Sequence, residues 1–119
     1  MGDSRAQALL EKLANKSSLV ATNNVTTATT SALVAAATTG AIRVYSIHWS
    51  FQATTSLSNL TLQDGSNAVF NIVAPASTSD TGFFSFGERP WILSRASALN
   101  LVRSAALTAC RVTVQYDIA

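Results

Sequence analysis

Beyond Gly40 the chain adopts a period of two. In "AIRVYSIHWSFQA", Tyr45, Ile47, Trp49 and Phe51 alternate with Ser46, His48, Ser50 and Gln52. Near the C-terminus, Cys110, Val112, Val114, Tyr116 and Ile118 alternate with Arg111, Thr113, Gln115 and Asp117. Successive side chains on an extended backbone point to opposite faces, so each run predicts a long strand with one face buried. Such a strand needs neighbours, and shorter runs supply them. Leu60 and Leu62 alternate with Asn59, Thr61 and Gln63, Ala68, Phe70 and Ile72 with Val69, Asn71 and Val73, and Leu99 and Leu101 with Asn100 and Val102; "FFSF" adds a short aromatic strand. Several short strands separated by turn signals predict a mainly β fold, an antiparallel β-sandwich or jelly-roll-like domain.

The turn signals are specific in one place. "LTLQDGSNAVFNIVA" sets Asp64 and Gly65 between two alternating runs. Asp-Gly there is a strong hairpin signal, because glycine takes the positive φ that tight turns need and an Asp carboxylate can bond its own turn. Asp64 is therefore expected to be a hinge and not a reactive acid. "APASTSDTG", 74–82, has loop composition, and "GERPWIL" brackets the charges Glu88 and Arg89 with Gly87 and Pro90 before Trp91 returns to the apolar layer.

The first part of the chain follows another pattern. Asp3 or Ser4 can cap a short helix in which Ala6, Leu9, Leu10 and Leu13 share a face. About three turns of helix are marginal in water alone, so this stripe wants a surface in its own domain or on another molecule. From Ser17 to Thr39 the chain carries neither charge nor aromatic residue. Little bulk is available there to nucleate a core, and we expect an extended arm or linker, with Ala32 to Ala37 able to join a sheet edge or equally to be helical near Ala35, since Ala is the best helix former. The expected organisation is a helix and arm over 1–39 and a β-sandwich over 40–119.

Motifs for chemistry are lacking. The acids Asp3, Glu11, Asp64, Asp80, Glu88 and Asp117 are scattered, and His48 sits mid-strand among serines without an acid to orient it as a general base. One His and one Cys cannot complete a zinc site within one chain, and three copies of His48 would have to meet on a symmetry axis to do so. No Gly-rich phosphate loop occurs. Trp49, Phe51, Phe83, Phe84, Phe86 and Trp91 can line a sugar or lipid pocket, although alternating aromatics on strands usually form core. The expectation is a non-enzymatic protein without cofactor or metal.

Charge narrows the partners. Eight Lys and Arg against six Asp and Glu leave a net charge of +2, and the basic residues are spread rather than clustered, which argues against nucleic acid. No apolar run reaches the length that spans a bilayer, and the first residues carry charges where a secretion signal needs an apolar core; we expect synthesis in a cytoplasm and no membrane partner. Charged residues make up 12% of the chain, against about 25% in ordinary soluble domains. A surface of hydroxyls, amides and methyls suits broad contact with other protein chains.

The succession "RVYSIHWSFQ", "LTLQDGSNAVFNI", "FGERPW", "ALNLVRS" and "CRVTVQYDI", preceded by a helix and a Thr/Ala arm, resembles the small decoration or cement proteins of tailed bacteriophage heads. The resemblance covers roughly 40–119 and carries no position-specific motif. It implies a homotrimer on the capsid exterior, made in the host cytoplasm, that binds the major capsid protein and bridges capsomers. Leu9, Leu10 and Leu13 are then the candidate capsid contact. The alternative is a receptor- or carbohydrate-binding β-module of a phage tail or fibre, with Glu88, Arg89 and Trp91 as candidate loop contacts. A small hydrolase is a third class, resting only on abundant Ser and Thr.

Overall fold

The computed structural model describes residues 19–119 of the 119-residue chain. The expected helix with Leu9, Leu10 and Leu13 lies outside the described residues. Those described form nine strands and no helix: β1 (Leu19–Asn23), β2 (Thr30–Val34), β3 (Ile42–Ala53), β4 (Ser58–Asp64), β5 (Asn67–Ala74), β6 (Ser79–Ser85), β7 (Trp91–Ile92), β8 (Leu99–Arg103) and β9 (Leu107–Ile118).

They make two antiparallel sheets, one ordered β1-β9-β3-β6 with β7 also on β3, the other β2-β8-β4-β5. β4 pairs with β5, β3 with β6, β2 with β8 and β1 with β9, so the chain is a set of hairpins nested one inside the next. β6 and β7 are two halves of one edge. The break between them holds Gly87 (φ 65°) and Pro90, which has no N–H to donate, and Phe86 N–H bonds Tyr45 O (3.0 Å) across it.

The two sheets enclose one apolar core. Ile42, Val44, Ile47, Phe51, Val112 and Val114 come from the first sheet, Val34, Leu60, Leu62, Ile72, Leu99 and Leu101 from the second. The alternation expected in β3 is interrupted once. Tyr45 occupies a bulge opposite β9, so Ile42 and Val44 point inward on one side of it and Ile47 and Phe51 on the other. Tyr45 turns outward, where its hydroxyl donates to Asp117 Oδ2 at 3.1 Å.

The Asp64 hairpin forms as expected. Gly65 has φ 61° at the first of two central positions and Ser66 has no positive φ, the pattern of a II′ turn. The Asp64 carboxylate, expected to bond its own turn, bonds elsewhere. Its Oδ2 accepts from both the N–H and the hydroxyl of Ser94 at 2.8 Å, tying the hairpin tip to the turn before β8.

Three expectations need correction. Residues 17–39 are not a free arm from Leu19 onward: β1 covers β9 and β2 covers β8, because those core strands would otherwise leave their ladder groups unpaired. Gly40 does not separate two units. It has φ 80°, and a Cβ there would lie 1.6 Å from Ala119 O, so it lets the chain turn tightly against the end of β9. The loop expected over 74–82 ends at Thr78; Ser79 to Gly82 already belong to β6, held by the long β3.

Candidate functional site

Two surfaces stand out. The first is the side of the body where the edge strands β5 and β6 meet. Rings run along it in sequence: Trp49 to Phe70 (6.0 Å between centroids), Phe70 to Phe84 (5.2 Å), Phe84 to Phe86 (5.0 Å) and Phe86 to Trp91 (6.2 Å), in tilted or edge-on pairs. Gly82 makes this possible. It lies opposite Trp49 in the ladder, and a Cβ there would stand 2.2 Å from the indole ring. Phe84 is 42% exposed, and beyond it Val69, Val73 and Phe83 are exposed as well. Edge strands with unpaired backbone groups and exposed apolar side chains form a template for further association.

The second surface is the outer face of the β1-β9-β3-β6 sheet, where the ladders place polar residues in rows. One row runs Thr81, Ser50, Arg111 across β6, β3 and β9, with Asn24 next to Arg111 beyond the end of β1. The next runs Phe83, His48, Thr113, Thr22, with the hydroxyls of Thr22 and Thr113 3.0 Å apart and the His48 and Phe83 rings 4.4 Å apart. A third holds Ser46, whose hydroxyl donates to Gln115 Oε1 at 2.8 Å. The face ends at Arg43, which grips Asp117 with two bonds of 2.7 and 2.6 Å. The Asp117 carboxylate holds the Arg43 guanidinium above its ordinary pKa. Burial pushes the Tyr45 phenol up, and its bond to Asp117 adds to that shift.

Two hollows open on this face. One of about 460 Å³ is lined by Asn24, Thr26, Ser50, Thr108, Cys110 and Arg111 among others; one of about 110 Å³ includes His48, Ser50, Thr81, Arg111 and Thr113. Ser50 and Arg111 border both, so the two hollows adjoin there as a trough on either side of Arg111.

The candidate loop residues are split. Glu88 and Arg89 are exposed in the turn between β6 and β7, while Trp91 is half-buried against Phe86 and the core. His48 lies on the polar face as expected. The carboxylates of Asp64 and Asp117 are engaged elsewhere, and among the described residues no group of His, Cys, Asp and Glu is arranged to hold a metal ion. Cys110 is a buried free thiol. Arg103, unremarkable in the sequence, is a buried guanidinium at the inner end of β8, bonded to Asn23 and, at 3.3 Å, to Ser31. The residues of the trough lie far apart in the chain, and only the β3–β9 register brings Ser50 to Arg111.

No family model matches this chain, and no significant similarity to a curated protein or a solved structure is found.

Proposed function

We propose that this is a non-enzymatic virion structural protein, a jelly-roll β-sandwich that binds the exterior of a bacteriophage capsid as a trimer and bridges its capsomers. The nested hairpin order carries the reading. Eight strands, counting β6 and β7 as one, pair as a long hairpin rolled on itself, the winding that viral capsid and lectin domains use. The aromatic β5/β6 side supports association, since it offers free edges and exposed rings to another copy or to the major capsid protein. Three linked contacts raise one another's effective concentration, so a weakly charged protein can hold a shell under internal pressure.

The test is the mass of the purified protein by light scattering, followed by co-sedimentation with particles that lack it. We expect a trimer and saturable decoration, with binding reduced when Leu9, Leu10 and Leu13 are replaced by Ser. A monomer that leaves particles undecorated overturns the reading. A second reading, a carbohydrate-binding module, draws support from the trough around Arg111 and predicts binding to glycans without particles.

A further inference from the structure

We propose that the trough centred on Arg111 is a binding site for a saccharide that carries a carboxylate. The site is assembled by β3, β6 and β9 of one sheet together with Asn24 and Thr26 beyond the end of β1.

Its size and lining fit that ligand. Small-molecule clefts span about 300–1,000 Å³, and the larger hollow alone, at about 460 Å³, falls in that range. The wall sets hydroxyls of Thr26, Ser50, Thr81, Thr108 and Thr113 and the amide of Asn24 into a lining whose larger share is apolar, as the alternating hydroxyl and C–H faces of a sugar require. Hydroxyls donate and accept, as sugar hydroxyls do, so they match a polyol better than they match a dense anion. Near one end the Phe83 ring, 55% exposed and tilted against His48, provides a flat apolar surface for the C–H face of a pyranose.

The charge selects a carboxylate. Arg111 is the one Arg or Lys among the residues bordering the trough. Its Nε–H points to Asn24 Oδ1 at 3.4 Å, which orients the fork, and the two terminal nitrogens have no protein partner among the described residues. Of the described carboxylates, Asp117 is held by Arg43 and Tyr45 and Asp64 by Ser94. Asp80 accepts from Thr81 N–H and belongs to the other face of β6, and Glu88 lies in the turn beyond that strand. A planar guanidinium binds a carboxylate through two parallel bonds. A single Arg does not suit a nucleic-acid backbone, which calls for several cations in a line.

The test uses the full chain, ¹⁵N-labelled, titrated with tetragalacturonate and with N-acetylneuraminic acid. Controls are the methyl ester of the tetragalacturonate and sodium acetate. We expect millimolar or tighter binding to at least one acidic sugar, with amide shifts at Ser50, Thr81, Arg111 and Thr113. Arg111→Gln should weaken it about tenfold or more, equivalent to about 1.4 kcal/mol, with the fold unchanged by circular dichroism. Arg111→Lys, which keeps the charge but loses the fork, should fall between. Equal binding of the methyl ester, acetate binding as tightly as the sugars, unchanged affinity in Arg111→Gln, or no shift at millimolar sugar would each overturn the proposal.

Discussion

The two sheets are open on two sides, and the chain closes them by opposite means. Where β1 turns into β2, the closure is polar: Arg103 reaches from β8 to Asn23 and Ser31, and Asn23 Nδ2 donates to Ser31 Oγ at 3.0 Å. Where β5 turns into β6, the closure is a run of five aromatic rings from Trp49 to Trp91. The polar side relies on a few directional bonds around a buried charge, so its contribution depends on every partner being present. The aromatic side relies on area, tolerates exposure at its rim, and leaves apolar surface that another chain can cover. The same fold thus has one side specialised to be finished internally and one left able to associate.

The largest effect is expected on the aromatic side. Trp49 touches Phe70 across the gap and packs on the core, so Trp49→Ala should cost about 3 kcal/mol in chemical denaturation, the lower end for aromatic truncation because Trp49 is only half-buried. A loss below about 1 kcal/mol would mean that the rings do not close this side.

Asn23→Ala probes the polar side. It leaves the Arg103 guanidinium buried with Ser31 alone, an under-satisfied charge that should cost about 2 kcal/mol. Arg103→Met in the Asn23→Ala background should recover most of that loss, because an apolar side chain of similar length removes the charge that needs partners. If the double variant is no more stable than Asn23→Ala, the buried charge is not what makes this side demanding.

Phe84→Ser separates closure from association. With 42% of Phe84 exposed, its loss should cost about 1 kcal/mol or less in stability yet reduce the mass of the trimer we propose, as read by light scattering. Asn23→Ala should do the reverse, lowering stability with the assembly unchanged at temperatures where the chain is folded. Assembly lost equally in both variants would remove the functional difference between the sides.

These two closures were unequally legible in the sequence. The aromatic alternation of "YSIHWSF" and the Asp-Gly turn announce strands and a hairpin, because both are local and their signals follow from backbone geometry. Gly82 read as loop, since its reason to be glycine is the Trp49 ring on a neighbouring strand. β1 goes unmarked because an edge strand that is mostly exposed needs no large apolar residues, and β2 is marked only in part, by the sheet edge allowed to 32–37; "LVATN" and "TSALV" carry only mild β preference. Nothing in the sequence sets Arg103 apart from the other arginines, which are usually exposed. Its partners Asn23 and Ser31 are remote in sequence, and nothing local marks them. The trough was hidden for the same reason, being written in ladder register rather than in any motif.

Tyr45 on β3 provides a control whose phenol bonds Asp117 and no residue of either closure, its one hydrogen bond to the aromatic side being the backbone bond from Phe86. Its phenol is raised above its ordinary 10.0, chiefly by burial and then by its bond to Asp117, so the folded chain holds this proton more tightly than the unfolded one. The sign follows: the contribution is fully present below pH 10, where both states are protonated, and is lost as pH rises through the folded-state value. Wild-type stability should therefore fall above about pH 10 more steeply than that of Tyr45→Phe, which cannot ionise at this position. The same difference in slope should recur in the Trp49→Ala and Asn23→Ala backgrounds, since sites without shared partners add nearly independently. Parallel urea denaturation series from pH 8 to pH 11 would measure it. A slope difference that vanishes in one background would show that the outer-face cluster of Arg43, Tyr45 and Asp117 is coupled to that side, and the two closures would then no longer be separable units.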